Sequence, residues 1–248
     1  MLGTRIISKI GLGNCYPKYN KWKKKQQQIA NVKKRNNPKI FCIGSGKTGT
    51  TSLEKAFKEL GVIVGNQREA ELLVKDCFKK NYQPLLAYCK TAEAFQDVPF
   101  SFLDTYKILD QHFPNSKFIL TIRDSSEQWY QSLTKFHAKR FGNGKIPTWE
   151  ILKKTNYVYK GWAYINRINA YRLTEKDDPY DKTILTTHYE DRNQEIIDYF
   201  KDRPNDLLVI NLSEPNTYQK FCQFINVKSD KETFPWENKT TEIKQHNL

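Results

Sequence analysis

The chain has 248 residues, 38% of them hydrophobic and 13% aromatic, with 41 Lys and Arg against 27 Asp and Glu for a formal net charge of +14. That length suits one compact α/β domain, no stretch approaches the roughly 20 apolar residues of a membrane span, and no N-terminal apolar run of about 7–15 residues marks a secretory signal. Eleven of the basic residues and no acid fall within residues 1–39, so the rest of the chain is near charge balance and the excess is not a nucleic-acid surface of the folded body.

In chain order, residues 1–38 form a basic leader ending at Asn36-Asn37-Pro38. It reads as a solvated, partly disordered tail, with contact to a membrane surface or polyanion as the alternative. Lys39-Ile40-Phe41-Cys42-Ile43 is a short apolar strand running straight into a Gly-rich turn. Thr51-x-x-Glu54 predicts a capping box, opening a helix with Leu53, Ala56, Phe57 and Leu60 on one face and a stop at Gly61. Val62-Ile63-Val64 suggests a second strand, residues 67–92 one or two helices broken near Pro84, and Glu93 to Gln96 another strand. A helix over about 100–113 is closed by Pro114, and Lys117 to Ile122 is the clearest strand of the chain. Ser125-x-x-Gln128 predicts a second capping box and a long helix. Helical patterns fill 148–201, followed by a strand at Leu207 to Ile210 and a helix from near Pro215. Strands alternating with helices predict an α/β fold, a three-layer α/β/α sandwich around a mainly parallel sheet, with one domain over residues 39–248.

Five scattered cysteines (Cys15, Cys42, Cys77, Cys89, Cys222), no C-x-x-C pair and four distant histidines argue against a disulfide framework or zinc site. They fit a reducing, cytoplasmic compartment and predict no metal.

Gly44-Ser45-Gly46-Lys47-Thr48-Gly49-Thr50-Thr51-Ser52 joins the first strand to its helix. Glycines let backbone N–H groups approach an anion closely, and the helix N-terminus adds unpaired donors and the positive end of its dipole. Lys47 brings a full charge, and Thr50, Thr51 and Ser52 bring hydroxyls. Gly46-Lys47-Thr48 matches the end of a nucleoside-triphosphate loop, but the leading glycine of that pattern would stand at position 41, which is Phe41.

With Lys47-Thr48-Gly49-Thr50-Thr51-Ser52 following a strand, the chain resembles the sulfotransferases that use 3'-phosphoadenosine 5'-phosphosulfate (PAPS), with the loop form of bacterial relatives. The resemblance implies a P-loop-like sulfotransferase fold and a cofactor-binding set of Gly46, Lys47, Thr48, Gly49, Thr50, Thr51 and Ser52. In it Lys47 holds the bridging oxygen, and Thr50 and Thr51 bind the 5'-phosphate. Ser52 stands where the cytosolic branch carries an adenine-stacking Trp. The family's 3'-phosphate grip is matched by Arg123, at the end of the 117–122 strand, and Ser132 on the following helix. A guanidinium suits phosphate through paired hydrogen bonds. The cytosolic branch places the Ser eight residues after the Arg, where this chain has Gln131. Asp97-Val98-Pro99 sits where that branch has His-x-Pro, making Asp97 the candidate catalytic base beside Lys47. An Asx turn ahead of Pro99 is the plainer reading. His137 is the rival base. Phe234-Pro235-Trp236-Glu237-Asn238 resembles the family's closing segment, with Lys239 reaching a phosphate; a tail packed on the core explains it as well.

The expected reaction is transfer of a sulfuryl group to a hydroxyl or amine of a small-molecule or saccharide acceptor, with 3',5'-bisphosphoadenosine (PAP) as product. The alternatives are a P-loop-type small-molecule or nucleotide kinase and a non-catalytic PAPS- or polyanion-binding module. Tyr157, Tyr159, Trp162 and Tyr164 either line a pocket or pack between helices.

Overall fold

The protein is described by a computed structural model covering residues 15–235, with side chains from residue 19 onward. Four strands, β1 (Ile40–Cys42), β2 (Ala94–Phe95), β3 (Lys117–Thr121) and β4 (Leu207–Ile210), form one parallel sheet in the order β2-β1-β3-β4. The helices are α1 (Cys15–Arg35), α2 (Thr50–Glu59), the short α3 (Gln67–Glu71), α4 (Val74–Phe78) and α5 (Gln83–Tyr88), then α6 (Thr105–His112) and α7 (Ser126–Phe141). After them come α8 (Trp149–Lys154), α9 (Trp162–Tyr171), α10 (Lys182–Phe200) and α11 (Thr217–Phe224).

Alternate strand residues point to opposite faces, and the two faces bury separate cores. Ile40, Cys42, Ile119 and Ile210 pack with Leu53, Ala56 and Phe57 of α2 and Phe221 of α11. Phe41, Ile43, Phe118 and Leu120 pack on the other face against residues of α3 to α10, the larger core. Phe41 sits at its centre, fully buried, with the rings of Phe95, Phe100, Phe113 and Phe118 within 6.0 Å. The three-layer α/β/α expectation therefore holds, and every strand pair is parallel.

The strand order sets the position of the site. The chain leaves β1 for β2 on one side, then crosses to β3 on the other. Such a reversal opens a crevice beyond the carboxyl ends of the strands, where α/β folds bind ligands. Here that crevice lies past Cys42 and Thr121, between residues 44–49 and Arg123.

Several local expectations are corrected. Val62–Val64 makes only one bridge, Val64 to Ala94, because the segment lies at the sheet margin. Residues 67–92 form three short helices and a 3-10 turn, and Pro84 lies in the first turn of α5, where a missing N–H costs nothing. The helix predicted over 100–113 begins at Thr105. No capping box forms at Thr51: α2 starts at Thr50, after Gly49 in a left-handed conformation (φ 100°) with no side-chain cap. At the second box Ser125 Oγ accepts from the Gln128 N–H, but Gln128 returns to Asp124 rather than to Ser125.

The leader was expected to be a partly disordered tail; over Cys15–Arg35 it is a helix lying against the body. Gln28 donates to the Thr91 carbonyl at 2.7 Å, Arg35 pairs with the buried Glu93 at 2.8 Å, and Val32 is buried. Lys21 and Lys25 both reach Glu69. Among the described residues no helix is long and apolar enough to cross a membrane. Cys42, Cys77, Cys89 and Cys222 are free and buried.

Gly44, just past β1, lies tight against Thr121 of β3. A Cβ there would stand 2.1 Å from Thr121 Oγ1 and 2.6 Å from the Thr121 carbonyl oxygen. Gly44→Ala is therefore expected to push the two central strands apart and cost about 2–4 kcal/mol. A chemical denaturation midpoint equal to wild type would contradict this.

Candidate active site

The loop 44–49 crosses the crevice from β1 to α2, and three buried side chains brace it from behind. Trp129 of α7 donates its indole N–H to the Gly46 carbonyl at 3.0 Å. Tyr189 of α10 stacks on Trp129 with ring centroids 4.5 Å apart, and its hydroxyl accepts the Arg123 N–H at 3.0 Å. Arg192, also on α10, donates to the Ile43 carbonyl at 2.7 Å. The loop is thus preorganised, and Lys47 is held with a left-handed backbone (φ 74°) that a side-chain-bearing residue rarely adopts.

One cavity opens on this loop. It is lined by Gly46, Lys47, Gly49, Thr50, Thr51 and Ser52 at one end, with Asp97 and Arg123 beside them. Burial lowers the Lys47 ammonium to about 8, helped by the charge of Arg123 and opposed by Asp97. Its Nζ lies 3.8 Å from the centre of the Phe136 ring, and among the described residues no carboxylate forms an ion pair with it. Arg123 spends Nε on the Lys47 carbonyl at 2.8 Å. Among the described residues its two terminal nitrogens make no hydrogen bond, leaving a guanidinium fork at the cavity wall. Two cations without an ion-pair partner among the described residues, the loop amides and the α2 N-terminus form an anion cradle. That donor set fits the phosphates of the nucleotide the resemblance implies.

Asp97 follows β2 and also has a left-handed backbone (φ 59°). Its Oδ1 accepts from the Val98 N–H at 2.8 Å, and its Oδ2 lies 3.4 Å from the Thr50 hydroxyl. Burial raises its carboxyl above the ordinary value, against the pull of that N–H, of the Lys47 charge and of Thr50. The Asx-type contact forms and still leaves the carboxylate on the cavity: one oxygen fixes the turn while the group borders the cavity.

His137 lines the same cavity. Its Nδ1 meets the Tyr180 hydroxyl at 2.7 Å, and burial, with the charges of Arg167 and Lys47, pushes it well below the ordinary histidine range. His112 bonds the Ile108 carbonyl at a helix end, away from the site.

Other expected residues fall elsewhere. The Thr48 hydroxyl turns inward to the Ser45 carbonyl and Thr121 Oγ1, both at 2.6 Å, and is not part of the lining. Ser132, half-buried on α7, is not among the lining residues either. Lys239 lies outside the described residues. Phe234 packs on Tyr218 and Phe221, with centroids 5.0 Å and 5.2 Å away. Tyr157 and Trp162 line the cavity, whereas Tyr159 and Tyr164 do not. Sequence reasoning missed Glu71, Phe136, Phe141, Asn166 and Tyr171, which also line the cavity. Only the dense aromatic run after Asn156 hinted at them.

Among the described residues no group of three or more His, Cys, Asp or Glu side chains is placed to hold a metal ion. No curated protein matches the chain. Residues 39–243 match the family model described as the sulfotransferase domain, a stretch that begins just before β1 and contains both Lys47 and Arg123. The chain belongs to the sulfotransferase domain family.

Proposed function

We propose that the protein transfers the sulfuryl group of PAPS to the hydroxyl or amine of a small acceptor. The observation that carries this reading is the pairing of Lys47 and Arg123, tied at 2.8 Å through the Lys47 carbonyl, on one cavity whose wall bears Asp97. The Lys-Thr-Gly-Thr-Thr form of the loop supports assignment to the bacterial-type branch. Four buried free cysteines agree with a reducing, cytoplasmic setting.

Bound PAPS supplies an activated sulfuryl group attached to a good leaving group. Loop amides, Thr50, Thr51 and Ser52 bind the 5'-phosphate end, and the Arg123 fork binds the 3'-phosphate. Lys47 neutralises charge growing on the oxygen that departs from sulfur, in a site where burial strengthens the interaction. Asp97 accepts the proton of the attacking group. Its raised carboxyl makes it a better base than an ordinary aspartate, and the Lys47 charge beside it favours the ionised form.

Isothermal titration with PAP, beside ATP with magnesium, tests the reading. Metal-independent binding of PAP is expected, weakened about 10–100-fold in Arg123→Ala by loss of charge-assisted hydrogen bonds. An unchanged dissociation constant in that variant would remove Arg123 from the site. Binding of ATP–magnesium alone would make the kinase reading correct, although Phe41 occupies the middle of β1 where a triphosphate loop needs glycine.

A further inference from the structure

Helix α1 is docked on the body by one stripe of side chains. Lys21 and Lys25 pair with Glu69 at 3.7 Å and 3.4 Å, and Gln28 donates to the Thr91 carbonyl at 2.7 Å. Val32 is buried and Arg35 pairs with Glu93. Steps of three and four residues make these one face of the helix. Helical phase puts Tyr19, Lys23, Ala30 and Lys34 on the opposite face, with Trp22 and Lys33 beside them, and all six are exposed.

That outer face joins two features. Tyr19 and Trp22 are 54% and 58% exposed, more than any other large apolar side chain among the described residues. Their rings stack with centroids 6.1 Å apart, so they stand as one aromatic pair at the surface. Lys23, Lys33 and Lys34 form no ion pair among the described residues, and α1 contains no acid to neutralise them. In the sequence, residues 1–14 lead directly into this end of α1; they include Ile6, Ile7, Ile10 and Leu12 with Arg5 and Lys9, and no acid.

Trp and Tyr settle at a membrane–water interface, where an apolar ring and a polar edge are both satisfied. Lysines beside them meet anionic headgroups. A nucleic acid would use the lysines too, but proteins that stack unpaired bases hold them in a basic groove, whereas this is the convex outer side of a helix. Aliphatic side chains also gain from lipid and gain nothing from a polyanion. We propose that the outer face of α1 docks the protein on an anionic phospholipid bilayer, with Tyr19 and Trp22 in the headgroup region and Lys23, Lys33 and Lys34 facing the lipid charge. The aromatic end of α1 is tied to Glu69, two residues before Glu71 of the cavity lining, so docking also orients the cavity relative to the lipid.

Co-sedimentation of the full chain with phosphatidylcholine vesicles, with and without about 30% phosphatidylserine, tests this at about 0.1 M salt. Partitioning is expected to be about tenfold or more stronger onto the anionic vesicles, and to weaken when salt is raised to about 0.5 M. Replacing the three lysines together (Lys23→Gln, Lys33→Gln, Lys34→Gln) is expected to weaken it about 30–100-fold. Replacing the aromatic pair (Tyr19→Ser, Trp22→Ser) is expected to weaken it about tenfold, with PAP affinity unchanged in both variants. Single-stranded DNA of about 20 nucleotides, at equal charge, is expected to leave the protein on the vesicles. Equal partitioning onto neutral vesicles, none onto anionic ones, or undiminished partitioning of either variant overturns the inference. Displacement by the DNA would make a nucleic acid the partner of this face.

Discussion

Lys47→Met is expected to lower kcat with PAPS by about 10²–10³-fold or more, while making the ligand-free protein more stable. The first effect follows from removing the charge that meets the departing oxygen in a water-poor site. The second follows from the same burial. In the folded protein the ammonium loses its proton near 8 rather than at its ordinary 10.5, so between those values the unfolded chain binds more protons and stability rises with pH. At pH 7 the buried charge is a net cost, and methionine of similar length removes it while keeping the contact with Phe136. A gain of about 1–2 kcal/mol is expected, a few degrees in Tm. The wild type should regain that difference on adding PAP and the variant should not. Near-normal turnover in the variant would exclude Lys47 from the chemistry.

For Asp97→Asn the expected result is a fall in kcat of about 10²–10⁴-fold with PAP affinity within about threefold of wild type. The amide keeps an oxygen for the Val98 N–H, so the turn survives while the proton acceptor is lost. Wild-type kcat/KM should rise with pH as Asp97 ionises, at a value above the ordinary carboxylate range, and fall again above about 8 as Lys47 loses its charge. The acid limb should vanish in Asp97→Asn. His137→Gln is the counter-test. His137 is held by Tyr180 and stays neutral at physiological pH, so its loss should cost less than about tenfold if Asp97 is the base. The reverse pattern, with Asp97→Asn active and His137→Gln dead, would transfer the role to His137.

Much of the donor half of the site was legible because its parts are contiguous. A strand, a glycine-bearing turn and a helix N-terminus imply an anion cradle wherever they follow one another, and Arg123 ends an unmistakable strand. Within that run the details were less legible. Thr51 looks like a cap, but Gly49 takes the left-handed conformation that starts α2 one residue earlier. Thr48 looks like a ligand, yet its hydroxyl is used against Thr121, seventy-three positions away. Ser132 has the right chemistry but stands outside the cavity lining, as helix phase dictates. The leader is solvated along most of its described length, but it is helical and docked over Cys15–Arg35, because acids that receive its basic residues, Glu69 and Glu93, belong to distant segments.

By itself the sequence determined the alternation of strands and helices, the phosphate loop after β1, and the arginine and aspartate at the ends of β3 and β2. These follow from local backbone chemistry and short-range hydrophobic pattern. Only the tertiary structure decided that Lys47, Arg123 and Asp97 face one cavity, that Trp129, Tyr189 and Arg192 brace its loop, and that Glu71 and Asn166 line that same cavity. The crossing from β2 over β1 to β3 creates the crevice. Packing of α3, α7 and α9 on one face of the sheet brings together residues some ninety-five positions apart. Proximity of that kind is a property of the packed core and leaves no periodic mark along the chain.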